Sequence, residues 1–234
     1  MRYRIELLVL IVTFCLFATI CSKKQSEPTS EFSPEVGDLM FQDLDGSPFY
    51  DAIETVTKGY QGASLSHIGI VTKDSSGKIF VLEAILAGVS LTPLFEFLAR
   101  SYDNQNHPKV LVSRLKPKYR HQILPALKEA QKLIGKPYDN FFDIENDAYY
   151  CSEVIYKAFL KSTDNQSLFK LQPMTFVDPS TGETFPIWQE YFAELGVAIP
   201  EGKLGINPGE ISRSKAIDII YNYGIPNGWK KLNK

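Results

Sequence analysis

Residues 149–160, YYCSEVIYKAFL, place a cysteine at the start of an amphipathic helix, and the interpretation of the whole chain begins there. Three apolar residues follow Cys151 at i+3, i+4 and i+7, namely Val154, Ile155 and Ala158. The thiol therefore shares the helix face that turns toward the core. Asn146 and Asp147 are predicted N-caps, which puts Cys151 in or near the first helical turn.

That position suits a nucleophile. The unpaired amides and the dipole at a helix N-terminus favour thiolate over thiol, and the same amides can receive a developing oxyanion. The alternative is a structural role, because free cysteine is among the most buried residue types. Local features alone leave both interpretations of Cys151 open.

A histidine and a glutamate lie in a predicted β-hairpin. Two strand-like runs, 67–71 and 79–83, flank the loop 73–77 (KDSSG). If the loop centres on Ser75, His67 stands opposite Glu83 on one face of the sheet, where a carboxylate can hold the imidazole and stabilise the imidazolium. A slip of one residue would move Glu83 to the other face.

The N-terminal segment predicts export. Arg2 and Arg4 precede an apolar run, 7–20, that is too short to span a bilayer. We interpret residues 1–21 as a signal peptide, 22–34 as a polar linker and 35–234 as one hydrolase domain. This organisation predicts a protein of the bacterial cell envelope, either periplasmic or lipid-anchored.

Two fates are open for Cys21. Residues 18–21 (ATIC) resemble a lipobox, which would make Cys21 a lipidated membrane tether, whereas ordinary signal cleavage nearby explains the same residues. In either case export leaves Cys151 without a partner for an intramolecular disulfide, and an unpaired cysteine in an exported protein is a candidate reactive thiol.

Composition excludes several classes of protein. With 44% hydrophobic and 22% charged residues, the composition is that of a globular protein. A net charge of −2 means that the chain lacks the excess of basic residues that binds nucleic acid. The spacing of His, Cys and acidic residues fits no zinc site, His107 and His121 lie in polar surroundings, and no phosphate-binding loop is present. The sequence predicts no metal and no organic cofactor.

Periodicity predicts further elements. Helices are expected over 92–100, 123–134 and 188–195, and strands at 39–41 and 110–112. The segment 166–234 is rich in Pro, Gly and aromatic residues, and we expect it to wrap on the domain as an extension.

Four motifs together resemble the permuted NlpC-type papain-like family, and among its members the YiiX-like amidases. These are residues 37–39 (GDL), 66–70 (SHIGI), 133–138 (LIGKPY) and 149–153 (YYCSE). In ordinary NlpC-type hydrolases the last two motifs come before the first two, so the order seen here is typical of the permuted branch. The resemblance covers most of 36–160 and implies an α+β papain-like domain, in which an antiparallel sheet packs against helices.

The resemblance also implies roles for single residues. Cys151 corresponds to the nucleophile, His67 to the general base and Glu83 to the residue that orients the base. Tyr138 corresponds to a tyrosine near the nucleophile, and we expect Tyr138 and Tyr150 to contact substrate or the oxyanion. Ordinary members carry DCSG where this chain has residues 150–153 (YCSE), a departure in the residues that flank the nucleophile and shape the acyl site.

The expected function is therefore a cysteine amidase or peptidase that forms a thioester acyl-enzyme, with a cell-wall peptide as one substrate. Two alternatives stay open. Lecithin–retinol acyltransferase relatives share the permuted arrangement. The first alternative is therefore an acyl hydrolase or acyltransferase that acts on a lipid-like amide or ester substrate. The second alternative is an inactive protein that binds a peptide or amino acid.

Overall fold

The computed structural model describes residues 32–163 and 166–230. The predicted signal peptide, residue Cys21 and most of the linker lie outside the described residues. Within the part of the chain that is described, no helix combines the length and the apolar character needed to cross a membrane.

The described residues form eight strands and six α-helices. The strands are β1 (Leu39–Gln42), β2 (His67–Lys73), β3 (Ile79–Ile85), β4 (Gly88–Pro93), β5 (Val110–Leu115), β6 (Gln172–Pro173), β7 (Leu204–Gly205) and β8 (Ile217–Asn222). The helices are α1 (Pro48–Val56), α2 (Leu94–Leu98), α3 (Ile123–Gln131), α4 (Cys151–Lys161), α5 (Pro186–Glu194) and α6 (Pro208–Ser212).

Six of these strands form one sheet in the order β4-β3-β2-β1-β5-β8, and every neighbouring pair is antiparallel. The predicted α+β architecture, an antiparallel sheet packed against helices, is confirmed. The C-terminal extension contributes β8 to the edge of the sheet beside β5, a pairing that the sequence pattern did not predict.

The sheet buries apolar side chains on both faces. Alternate residues of β1 show this, because Leu39 and Phe41 belong to the larger core with α3, α4 and the extension, whereas Met40 packs with Phe97 of α2. Cys151 lies at the edge of the larger core and is 7% exposed.

Two predicted element boundaries are wrong. Residues 92 and 93 belong to β4, and the helix expected over 92–100 is only α2. The apolar–polar alternation of 89–92 (VSLT) continues the pairing with β3, and the chain turns helical only after Pro93. The helix expected over 123–134 ends at Gln131, and Gly135 follows with φ of +86°.

Candidate active site

The candidate residues meet at one end of the sheet, where β1 and β3 end and β2 begins. A cavity of about 750 Å³ opens there and includes both His67 and Cys151 in its wall. His67 is the first residue of β2, and Cys151 is the first residue of α4. The other residues that line the cavity are Leu44, Asp45, Ser47, Phe49, Tyr50, Ile53, Ser66, Ala84, Ile85, Leu86, Ala87, Arg100, Tyr138 and Tyr191.

Cys151 occupies the first helical position of α4. The Val154 amide donates the first helical hydrogen bond, to the Tyr150 carbonyl at 3.1 Å, so the amides of 151–153 precede the helical ladder. Tyr150 is the N-cap residue, and the predicted caps Asn146 and Asp147 are wrong. The Asn146 side chain closes a local turn by accepting from the Ala148 amide at 2.7 Å, and Asp147 pairs with Lys136.

The extension anchors the residues on both sides of the nucleophile. The Ile206 amide donates to the Tyr150 hydroxyl at 3.2 Å, and the Ser152 hydroxyl donates to the Ile206 carbonyl at 2.9 Å. Tyr150 is only 3% exposed and does not line the cavity. Its side chain therefore packs with the extension, because its hydroxyl accepts from the backbone of Ile206.

His67 and Glu83 are in direct contact, although the predicted register is wrong. Lys73 pairs with Ile79, so the hairpin loop centres on Ser76 and not on Ser75. The pairing is therefore shifted by two residues from the predicted register. Because side chains alternate between the two faces of a sheet, a shift of two leaves each side chain on its predicted face. Glu83 then lies diagonally from His67, and the two are joined by a contact of 2.5 Å between Nε2 and Oε2.

Gly69 makes room for this diagonal contact. A Cβ at Gly69 would lie 2.3 Å from Cγ1 of Val81 and 3.2 Å from Cβ of Glu83. A side chain at position 69 would therefore push against the strand that carries Glu83. The glycine of the SHIGI motif thus serves the approach of Glu83 to His67.

Glu83 is fully buried and held by two residues that sequence analysis missed. Arg100 donates from Nη1 to Oε2 at 2.8 Å and from Nη2 to Oε1 at 2.5 Å, and Thr92 donates to Oε1. Burial alone would raise the pKa of Glu83, but the charge and hydrogen bond of His67, followed by those of Arg100, lower the pKa to about 2. Glu83 is therefore a carboxylate throughout the neutral range.

His67 stands between this carboxylate and the thiol. Burial of the ring opposes its charge, but the charge and hydrogen bond of Cys151 and those of Glu83 raise the pKa of His67 to about 9. Because Nε2 contacts Glu83, Nδ1 is the nitrogen left to face Cys151. His67 is therefore protonated at neutral pH and is placed to exchange a proton with Cys151.

The LIGKPY motif positions Tyr138 through backbone contacts with β4. The Gly135 amide donates to the Val89 carbonyl, and the Val89 amide donates to the Lys136 carbonyl, both at 2.9 Å. Gly88 permits this approach, since a Cβ there would lie 2.5 Å from the Lys136 oxygen. Tyr138 is thereby directed into the cavity, where burial and then the charge of Cys151 raise the pKa of its hydroxyl.

Glu153, at which this chain departs from the DCSG pattern, faces away from the cavity and is fully buried. Burial raises its pKa to about 8, against the opposing effect of Lys157, whose Nζ lies 3.9 Å away. Its carboxyl group is therefore largely protonated at neutral pH. It occupies the third helical position, where an acidic side chain turns back toward the N-cap amide of Tyr150.

The sequence does not indicate Thr92 and Arg100 as site residues, because the pattern of 92–100 predicts a helix. The alternation of 89–92 is the signal that would have indicated a strand paired with β3, and such a strand brings Thr92 to the face of Glu83. No local signal identifies Arg100, because it reaches Glu83 from beyond α2.

Comparison with known proteins identifies a family for this chain. Residues 33–221 match the sequence model of the family described as permuted papain-like amidase enzyme, YaeF/YiiX, C92 family. The uncharacterized protein YiiX of Escherichia coli (strain K12) is 29% identical over 140 residues, which span 60% of this chain and 64% of that protein. The chain thus matches less than two thirds of the length of this relative.

A solved structure shares the fold. The crystal structure titled metalloprotein yiiX from Escherichia coli O157:H7 superposes with a TM-score of 0.68 at 24% sequence identity. The match covers 82% of this chain and 99% of that structure. At this identity the likeness shows the papain-like fold alone.

Proposed function

The chain belongs to the family of permuted papain-like amidases, and from this premise we propose that it is an exported cysteine amidase acting through Cys151, His67 and Glu83. The observation that carries the proposal is the position of His67, which lines the same cavity as Cys151 and contacts the Glu83 carboxylate at 2.5 Å. We include in the proposal that residues 1–21 direct export to the cell envelope and that Cys21 is a membrane tether.

The chemistry follows from this geometry. His67 takes the proton of Cys151, and the thiolate attacks the carbonyl carbon of an amide. As the C–N bond breaks, the imidazolium protonates the leaving amine and a thioester remains. His67 then deprotonates a water molecule that attacks the thioester, which releases a carboxylic acid and restores the thiol.

Two features stabilise this sequence of steps. The amides of 151–153 precede the helical ladder of α4 and are proposed to stabilise the negative charge that develops on the carbonyl oxygen, while Tyr138 adds a hydroxyl group to the cavity that Cys151 lines. Glu83 keeps His67 oriented with Nδ1 toward the thiol, while Arg100 balances the charge of Glu83.

A resident metal does not fit the described residues. The solved relative is called a metalloprotein, but in residues 32–163 and 166–230 of this chain no three His, Cys, Asp or Glu side chains form a group able to hold a metal ion. We therefore derive the mechanism from the side chains alone.

The proposal is tested by trapping the acyl-enzyme. The protein is incubated with muropeptides or simple N-acyl anilides, quenched in acid and digested, and the peptide that contains Cys151 is weighed by mass spectrometry. We expect that peptide to gain the mass of the acyl group in the wild type and to gain nothing in Cys151→Ala. The absence of both adduct and turnover with every amide and ester would favour a binding protein instead.

The pH dependence gives a second test. The active pair needs a protonated His67, so kcat/KM should fall as the pH rises through about 9, the pKa of His67. Glu83→Gln removes a charge and a hydrogen bond that raise this pKa, so the alkaline limb of the profile should move to lower pH. Glu96→Gln, an exposed acidic residue of α2, serves as the matched control. An alkaline limb that stays in place in Glu83→Gln would contradict the orienting role.

A further inference from the structure

We infer that a second pocket, separate from the cavity beside Cys151, binds a small ligand that joins an anionic group to a compact apolar body. This pocket, called here the extension pocket, has a volume of about 370 Å³ and is formed mainly by residues of the C-terminal extension. A pocket of this size suits a small molecule. It shares no lining residue with the cavity beside Cys151, so the inference does not depend on the proposed amidase.

The floor of the extension pocket is apolar. Phe169, Ile206, Ile211 and Ala216 line the pocket and are buried, and Leu168 lines it half-buried. Apolar side chains at the bottom of a concave pocket favour an apolar ligand group, because its entry removes both surfaces from water. The floor therefore fits the apolar body of the ligand.

The rim of the extension pocket carries more positive than negative charge. Lys170, Arg213 and Lys215 are exposed there, whereas Glu210 is the single acidic residue of the lining. Within residues 32–163 and 166–230, no carboxylate lies within ion-pair distance of Lys170 or Lys215. The chain as a whole has a net charge of −2, so this excess of cations is a local feature of the rim. An anionic group is the ligand chemistry that such a rim attracts.

Arg213 is only weakly held by its present partners. Its Nη2 lies 3.5 Å from the Glu210 carboxylate, and its Nε donates to the Gly209 carbonyl at 3.4 Å, which are both long contacts. The Arg213 side chain is 53% exposed, and an ion pair this exposed contributes little free energy. A carboxylate or phosphate can therefore take the place of Glu210, because the planar guanidinium can bind two oxygens of such a group at once.

Ile206 connects the extension pocket to the start of α4. Its side belongs to the pocket lining, while its amide donates to the Tyr150 hydroxyl and its carbonyl accepts from the Ser152 hydroxyl. A ligand in the extension pocket would thus contact the segment that supports the residues on either side of Cys151. It would do so without entering the cavity that the thiol lines.

The test measures the binding of small anions by isothermal titration calorimetry on the purified protein. The probes are 3-phenylpropanoate, phenyl phosphate and the uncharged 3-phenylpropan-1-ol, none of which contains an amide or ester of a carboxylic acid. We expect saturable binding of at least one anion, with a Kd at least about tenfold lower than that of the alcohol. Binding of the carboxylate alone or of the phosphate alone would identify which anionic group the pocket accepts. The absence of saturable binding by both anions, or equal affinity for the alcohol, would overturn the inference.

Variants locate the bound anion. Arg213→Gln and Lys215→Gln should each raise the Kd by about tenfold, and the fold should persist because both side chains are exposed. Lys203→Gln replaces an exposed lysine of the extension outside the pocket and should leave the Kd unchanged. Alkylation of Cys151 with iodoacetamide should also leave the Kd unchanged. Equal Kd values in all three variants, or loss of binding after alkylation, would place the anion elsewhere and refute the extension pocket as its site.

Discussion

Replacement of Cys151 by serine is expected to reduce kcat/KM for any acyl substrate by at least about 1,000-fold. In the proposed mechanism the imidazole of His67 takes the proton of the thiol, and a serine hydroxyl at the same place holds its proton far more strongly. The serine variant should keep the conformation of the start of α4 and of the cavity. Substrate binding should therefore persist while turnover is lost. Steady-state kinetics on purified wild type and variant provide the measurement.

Two controls make this result specific. Cys21→Ser changes a cysteine outside the proposed hydrolase domain 35–234 and should leave turnover in vitro intact, and circular dichroism should show the same fold for Cys151→Ser as for the wild type. Iodoacetamide should also alkylate Cys151 in mildly acid solution, where a free thiol reacts slowly. Retention of most of the activity in Cys151→Ser would refute the nucleophile assignment.

Replacement of His67 by glutamine is expected to lower kcat/KM by about 100-fold to 10,000-fold, the range typical for loss of a general acid–base group. Glutamine can still hydrogen-bond Glu83, but it neither accepts the proton of Cys151 nor returns one to the leaving amine. The same variant should lose the alkylation of Cys151 at acid pH, because no imidazolium remains to stabilise the thiolate. Kinetics and alkylation rates measure the two effects separately.

His107 offers the matched control for this prediction. Its side chain is 55% exposed and lies 3.9 Å from Asp103, so it also forms a histidine–carboxylate pair, but outside the cavity. His107→Gln should therefore behave as the wild type. Equal losses in both variants would point to a general effect of histidine replacement and count against a catalytic His67.

The local sequence was sufficient to predict an element wherever the interactions that form the element lie between residues close together in the chain. The apolar spacing after Cys151 predicts α4 within one residue of its observed start, and the loop with Gly77 at φ of +84° predicts the hairpin. The alternation of side chains along a strand keeps His67 and Glu83 on one face even though the register shifted by two. The four motifs and their order predicted the permuted papain-like fold.

Contacts between distant segments could not be predicted in this way. The N-cap of α4 is a tyrosine whose hydroxyl accepts from the backbone of residue 206, and Arg100 contacts Glu83 from beyond α2. Neither pairing leaves a periodic signal in the sequence. The cavity wall likewise joins α1 to the turn after β3. Sequence periodicity reports which face of one element is buried, whereas the partner of a buried charge depends on how separate elements pack. The proposed nucleophile and its base could therefore be named from the chain, while the residues that hold the base and line the cavity emerged only from the packed molecule.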